Sequence, residues 1–452
     1  MSRSKSLLAL GLVALLAAVA ILGMIAGPGG SQVAANDAGL TVPKSMALSP
    51  NWKPQPVSGE AVNLAWSNIR VNNDSTNEAQ NEPFVAVNPA NANHIVVGAN
   101  SWQVGNGYFE VFAYVSFDGG RTWSASQPYI NRNASRINAA DPTVAFGANG
   151  SVYFAFVALS PAQGAVAVSS SNDGGLTWAS QTWATSFNSG ADKPAIAAAN
   201  GSLYLYYQNS SLYSRVSSNG GATWSDAVAI EAGGRNAYPV VDSKGNVTVF
   251  YNTNSSIKMA RPGGSDTGAY SVSTVANTVA LQPRAAQYRA NIYPAAGVDG
   301  AGNLYVAWAD GRNAGHGNDI LLTRSVNGGR SWSAPALVNT DAGNADQLMP
   351  AVAVSKGGAV TVSWLDTRND ATNVNYDVYM AQSANGVSFS ANQRVSSVSS
   401  NPYNDPRTQG TMIGDYFASA AGANGLVYTF WADTRNNNED IYMAPIAAPS
   451  DN

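Results

Sequence analysis

The chain is 452 residues long, with 12% charged residues, a formal net charge of −4, no cysteine and two histidines. Length on that scale suits one large domain around an extended core. The weak charge excludes a nucleic-acid groove, and the missing cysteine excludes a disulfide framework or a thiolate metal site. His94 and His316 alone furnish neither a His-rich metal centre nor a Ser-His-Asp triad, so no metal and no cofactor is expected.

Taken in chain order, the sequence opens on Arg3 and Lys5, followed by an apolar run from Leu7 to Ala26 that is long enough to span a bilayer. Residues 1–35 read as a signal peptide cleaved after Ala35, or as a retained membrane anchor. Either way the remainder is expected outside the cytoplasm, secreted or on the cell surface, with a membrane contact only through that segment. Residues 36–61 read as a flexible stalk rich in Gly, Pro, Ser and Ala, and 447–452 as a tail. Asn-x-Ser/Thr sequons begin at Asn73, Asn133, Asn149, Asn200, Asn209, Asn246 and Asn254, and matter only in a host that N-glycosylates.

Between 62 and 446 the chain repeats itself. "EPFVAVNP" from 82, "DPTVAFGANG" from 141 and "KPAIAAANG" from 193 open successive units. "YPVVDSKGN" from 238, "YPAAGVDGAGN" from 293, "MPAVAVSKGG" from 349 and "DYFASAAGANG" from 415 complete a set of seven. Each unit runs through small apolar residues to a Gly/Asn turn, then an aromatic-rich strand such as "LYVAWAD", then a third strand such as "DILLTRS". "DSKGN" and "DGAGN" look like fragments of calcium loops but lack the downstream Glu, and a tight hairpin turn explains them. A fourth strand follows in most units, and four short strands in a repeat of this length predict a β-propeller blade. The seventh unit lacks its fourth strand, and residues 62–72, which align with the start of "SWSAPALVNTDAG", are expected to supply it and close the ring. Seven blades are predicted, with six as the alternative.

Before most fourth strands stands one phrase: "SFDGGRTW", "SNDGGLTW", "SSNGGATW", "SVNGGRSW" and, damaged, "SANGVSF". Gly-Gly supplies turn angles, the acid or amide accepts hydrogen bonds from its own turn, and the aromatic points inward. The acceptor is Asp118 and Asp173 in two copies but Asn219, Asn327 and Asn385 in the others. Asn keeps the hydrogen bond and loses the charge, so the phrase reads as a joint pinned by Trp123, Trp178, Trp224 or Trp332 rather than as a metal or catalytic site.

The phrase resembles the Asp box, or BNR repeat, of the sialidase-like propellers, and the resemblance covers residues 62–446. "IGDYF" with "WADTRNNNEDIY" is similar to secreted, uncharacterised sialidase-like repeat proteins. The resemblance implies a propeller with its site on the face opposite the Asp boxes. For a true sialidase it implies three arginines on a carboxylate, a Tyr nucleophile paired with Glu, and an Asp acid/base. Tyr416, Glu231 and Asp141 are the candidates for those catalytic roles, although Asn81 stands where the first arginine of that family belongs.

The face opposite the joints collects nine arginines. Arg132, Arg136, Arg235, Arg284, Arg289 and Arg407 lie in the links, and Arg312, Arg368 and Arg435 in the turns "DGRN", "DTRND" and "DTRNN". Glu82, Asp141, Lys193, Tyr238, Tyr293, Met349 and Asp415 open the first strands around the channel. The ligand-binding set expected from this is Arg312, Arg368, Arg435, Arg289 and Arg407 with Glu82, Asp415, Tyr238 and Tyr293, fitting a glycan or another anionic ligand. The competing reading pairs each turn arginine with its own aspartate, Asp310, Asp366 or Asp433, as a structural pin. Three functions stay open: a binding propeller, a sialidase-type glycoside hydrolase, and a structural cell-envelope protein.

Overall fold

The computed structural model describes residues 67–449 apart from 73, 75, 103–108, 129–137, 160–163, 264–268, 283, 285, 287, 314 and 342. The leader, the cleavage site and the stalk lie outside the described residues, as do Asn73, Arg132, Asn133 and Arg136. Among the described residues no helix is long and apolar enough to cross a membrane.

Seven four-stranded antiparallel sheets form, each a blade. Their innermost strands touch in sequence, and that of blade 7, Ala418–Ala421, packs against that of blade 1, Ala79–Asn88, so the blades make a closed ring. The fold is the seven-bladed propeller rather than the six-bladed alternative. The second strands lie between neighbouring blades and are buried on both faces, as in Leu304–Asp310 and Val360–Asp366, where every residue is buried. Hence their near-continuous apolar sequence. The core is a set of inter-blade clusters, such as Val96, Val111, Phe154 and Phe156 between blades 1 and 2.

The last blade is built from both ends of the described chain. Its sheet is ordered from Ala418–Ala421 through Leu426–Asp433 and Asp440–Ala447 to Ile69–Arg70. Ile69 pairs with Met443 and Arg70 with Tyr442, and Val71 N donates to Ile441 O at 2.8 Å. Asn72 continues the seam: its Nδ2 donates to Asp440 Oδ1 at 2.8 Å and to Gln80 Oε1 at 2.6 Å, and its Oδ1 accepts from Ile441 N. The paired strand is shorter than the expected 62–72, of which 62–66 fall outside the described residues.

Five blades carry the Asp-box turn between third and fourth strands. Asp118 Oδ1 accepts from Arg121 N and Thr122 N at 2.9 Å, and Thr122 Oγ1 donates to Asp118 Oδ2 at 2.6 Å. In the Asn copies the last bond reverses: Asn219 Nδ2 donates to Thr223 Oγ1 at 2.8 Å, and Asn327 Nδ2 to Ser331 Oγ at 2.7 Å. The hydroxyl can donate or accept, so amide and carboxylate close the same turn. Trp123 is buried and its indole donates to Gly120 O, whereas Trp178, Trp224 and Trp332 are only partly buried. The "DSKGN" and "DGAGN" stretches are hairpin turns, in which Asp242 and Asp299 accept amides of their own turns.

Candidate functional site

The site begins with a backbone irregularity. In the first strands of blades 1, 2, 3 and 6 the register slips between Asn81 and Phe84, Ala140 and Thr143, Asp192 and Ala195, and Leu348 and Ala351. Inside each slip sits a side-chain-bearing residue at positive φ: Glu82 at 52°, Asp141 at 56°, Lys193 at 46° and Met349 at 50°. Each is followed by proline, which has no N–H to orphan where the ladder is broken. Such a conformation costs about 1–3 kcal/mol and re-aims the side chain, bringing Glu82, Asp141 and Lys193 together while Met349 packs into an apolar cluster.

The bulge also corrects the sequence alignment. In blade 4 the slip lies between Arg235 and Tyr238, and Asn236, at φ 60°, takes the position of Glu82. Tyr238 stands two residues later, because its proline follows the bulge instead of filling it. In blade 7, which has no proline there, Ala418 pairs with Phe430, so Tyr416 rather than Asp415 matches Met349 by register.

Four blades and one link converge on Lys193. Its Nζ lies 2.6 Å from Asp141 Oδ1, 2.8 Å from Asp415 Oδ2 and 3.2 Å from Glu82 Oε1. Arg289, from the link between blades 4 and 5, grips Asp415 with both Nε and Nη2. Asp415 N donates to Glu82 Oε1 at 3.0 Å, and Asn100 Nδ2 donates to Glu82 Oε2 at 3.0 Å. Gly414 makes this approach possible: it sits at φ 90°, and a Cβ there would lie 2.9 Å from Glu82 N. Asp192 joins through a side-chain hydrogen bond with Asp141 and accepts from Gln208 Nε2 at 3.1 Å.

Four carboxyl groups thus face two fixed cations, and neutrality requires two of the acids to keep their protons. Burial pushes Glu82 up to about 8 against the pull of Lys193, with the charges of Asp141 and Asp415 raising it further. Burial and the Asp141 charge lift Asp192 to about 7. Asp141 is also pushed up by burial, but Lys193 and the hydrogen bonds it receives hold it at about 2. Lys193 and Arg289 likewise overcome burial to keep Asp415 below the usual carboxylate range.

Beside the cluster opens a pocket of about 50 Å³, walled by Phe84, Tyr238, Tyr293 and Tyr416, by prolines 194, 294 and 350, and by Lys193. Among these, the Tyr416 ring lies against Phe84 and Tyr293, Lys193 Nζ is 5.6 Å from its centroid, and its hydroxyl donates to Pro142 O at 3.3 Å. Burial, and then the Glu82 and Asp141 charges, push its phenol well above 10.

Of the expected residues, the structure brings together Glu82, Asp141, Lys193, Arg289, Tyr238, Tyr293, Asp415 and Tyr416. It does not bring Glu231 to Tyr416: Glu231 lies on the outermost strand of blade 3, Val228–Ala232, paired with Lys258 at 2.8 Å. Arg312, Arg368 and Arg435 do not line the pocket. Each clasps the aspartate two residues before it, at 2.8, 2.6 and 2.7 Å. Those aspartates are fully buried, and each also accepts an indole N–H, from Trp308, Trp364 or Trp431, and the arginine's own amide. Arg407 N donates to Asp405 Oδ1 at 2.7 Å, beside the buried Glu439 that links blade 7 to Asn81. Sequence reading missed Asp192, Asn100, Asn236 and Phe84. Only Asp192, adjacent to Lys193 in "ADKP", carried a local signal.

A sequence model of the BNR repeat-like domain matches residues 51–275. No curated protein matches the chain significantly. Among solved structures, an ulvan lyase of polysaccharide lyase family PL25, bound to -[GlcA(1-4)Rha3S]-, is 12% identical with a TM-score of 0.50, covering 83% of this chain and 96% of that one. YCF48 from Cyanidioschyzon merolae is 16% identical with a TM-score of 0.48, over 83% and 98% of the two chains. The leech intramolecular trans-sialidase complexed with 2,7-anhydro-Neu5Ac is 11% identical with a TM-score of 0.46, over 78% and 71%. At these identities the likeness is one of fold.

Proposed function

The chain is an Asp-box β-propeller of the sialidase-like superfamily, and from that premise we propose that its channel mouth binds an uncharged carbohydrate without hydrolysing it. The observation that carries this reading is the pocket itself: an aromatic wall of Phe84, Tyr238, Tyr293 and Tyr416 over an ion cluster that is already neutralised. Aromatic faces stack on the apolar face of a sugar ring, and a few polar groups fix its orientation. The ulvan lyase of like fold holds a polysaccharide, and only that class of ligand is carried over.

Two features argue for a ligand without a carboxylate. The lysine at the pocket is shared among three acids, and the fork of Arg289 is occupied by Asp415. An incoming anion would find both cations already engaged by carboxylates. Hydrolysis is disfavoured by spacing and by pKa. Glu82 and Asp141 are both held on Lys193 Nζ, at 3.2 and 2.6 Å, rather than standing on either side of an open space as the two carboxyls of a glycosidase do. Tyr416 keeps its proton and has no carboxylate base on its hydroxyl, which donates to a backbone carbonyl.

Glycan-array screening and calorimetry on the full-length chain test the reading, with a sialoside hydrolysis assay beside them. Binding of neutral oligosaccharides, lost in Tyr293→Ala and with no sialic acid released, is the expected result. Binding confined to acidic glycans and weakened by salt, or turnover of the sialoside, would overturn it, and no ligand at all would favour the structural envelope reading. The proposal includes a location outside the cytoplasm, argued from the apolar leader and checked by fractionating the native cells.

A further inference from the structure

Blade 4 is the internal blade without an Asp box, and its outer edge differs from all the others. The fourth strand there, Tyr270–Asn277, has eight residues, whereas the outer strands of the remaining blades have two, three or five. An outer strand is a sheet edge, with a row of unpaired N–H and C=O groups facing water. Shortness blunts most of these edges. Charge blunts others: Arg70, Glu231 and Arg394 sit in the outer strands of blades 7, 3 and 6. Tyr270–Asn277, "YSVSTVAN", carries no charge, no proline and no glycine.

One edge of this strand is satisfied. Tyr270 to Thr274 pair residue for residue with Pro262 to Lys258, and the register then slips at Val275, which turns into the core. The bulge sets a limit to any further pairing, leaving Tyr270–Thr274 as a straight run of about 17 Å at the usual rise per residue. Its residues from Ser271 to Thr274 are exposed, Val272 at 38%, and Val279 just beyond is exposed as well.

Composition identifies the occupant. When a strand pairs antiparallel with its own copy about a two-fold axis, every residue meets a residue of the same strand, so any charge would face its like or lie close to it. This strand contains none, and its Ser, Thr and Val side chains suit cross-strand contact with themselves. We infer that the chain self-associates through antiparallel pairing of the outer strands of blade 4, joining two four-stranded blades into one continuous sheet across a two-fold axis. The contact is small beside the roughly 1,200–2,000 Å² of a stable interface, so the dimer is a weak one, populated at high micromolar concentration.

Sedimentation velocity on the full-length chain across a concentration series reads this directly. The wild type is expected to shift from monomer to dimer, and Val272→Lys, which sets like charges across the axis, to stay monomeric with an unchanged melting temperature. The chain has no cysteine of its own, which permits a second measurement. Val272→Cys, which meets its own copy across the axis, is expected to form a disulfide-linked dimer under mild oxidation, and Ser388→Cys, exposed on blade 6, is not. A wild type that stays monomeric at every concentration overturns the inference. So does a dimer that survives Val272→Lys, or equal cross-linking at both cysteine positions, because either places the contact elsewhere.

Discussion

Two regions of this propeller bury carboxylates against cations, and they do so in opposite ways. On the turns of blades 5, 6 and 7 each aspartate is matched to one arginine two residues away, and the arrangement recurs three times with the same Trp and the same amide. Around the channel, one lysine serves three carboxylates drawn from three different blades, an arrangement that occurs once among the described residues. A local, repeated, charge-balanced pair is a fastener, for both of its charges come from one turn. A cluster assembled across blades, short of cations and held on strained backbone, requires the whole ring to maintain it. The difference separates structure from candidate function more sharply than either the number of arginines or their clustering on one face.

The largest break in this comparison is expected from Lys193→Met. Removing the shared cation strands several buried acids, and breaking a buried pair costs about 3–5 kcal/mol. Thermal melts should show a severe loss at pH 8 that is partly recovered at pH 5, where the acids can neutralise themselves by protonation. A mild, pH-independent loss would mean the cluster does not depend on its lysine.

The fasteners should give smaller and graded effects. Arg435→Gln and Arg368→Gln should each lower stability by about 1–3 kcal/mol, since the aspartate keeps its indole and amide donors. Arg312→Gln should cost less, because Arg312 is 33% exposed against 15% for Arg435. Arg435 and Arg368 also stack on Tyr442 and Tyr379. The losses should add in denaturant titrations, as expected for independent sites. Strong coupling among them would make the three turns one network.

A pH dependence comes next. Glu82 titrates at about 8 in the fold against an ordinary 4.5, and Asp192 at about 7 against 3.8. Both bind protons more tightly when folded, so their contribution is complete below pH ~4 and is lost as pH rises through 7 and 8. The melting temperature should fall from pH 5 to pH 9. Glu82→Gln should flatten that slope, since the amide donates to Asp141 as the protonated acid does, though its nitrogen cannot accept from Asn100. An unchanged slope would mean Glu82 is already ionised in the fold.

The smallest effect is expected from Asp118→Asn, within about 0.5 kcal/mol, because Asn219 and Asn327 close sister turns by reversing one hydrogen bond. Circular-dichroism melts that show a larger loss would assign the Asp box a charge-dependent role.

The fold was legible because a repeat writes the same instructions many times. Six Pro-marked openings and the Pro-less "DYFASAAGANG" gave seven units, and the missing fourth strand after "DIYMAPIA" gave the closure. The site was legible where proline sits inside the bulge, at Glu82, Asp141 and Lys193, and misaligned where it does not, at Tyr238 and Asp415. A two-residue shift in a bulge leaves no mark on the spacing of a sequence. Asn100 and Asn236 were invisible because their partners come from other strands or blades. The arginines were counted correctly as a group, yet their neutralising aspartates stood two letters away in "DGR" and "DTR".

Closing the last blade with the first strand also sets the order in which the protein can be completed. Arg70 waits for Asp440, 370 residues later, so the ring cannot close until the strand Asp440–Ala447 has been made. Loop-closure entropy grows only with the logarithm of length, and a span about eight times that of one blade costs about 2 kcal/mol more. The hydrogen bonds of Asn72 and Val71 offset a penalty of that size. Blades 1 to 6 each draw their strands from one contiguous stretch, while the seventh needs strands from both ends of the described chain. A chain cut short anywhere before its final strand keeps an open ring and an exposed edge, and one cut before residue 415 also lacks the carboxylate that Lys193 and Arg289 share.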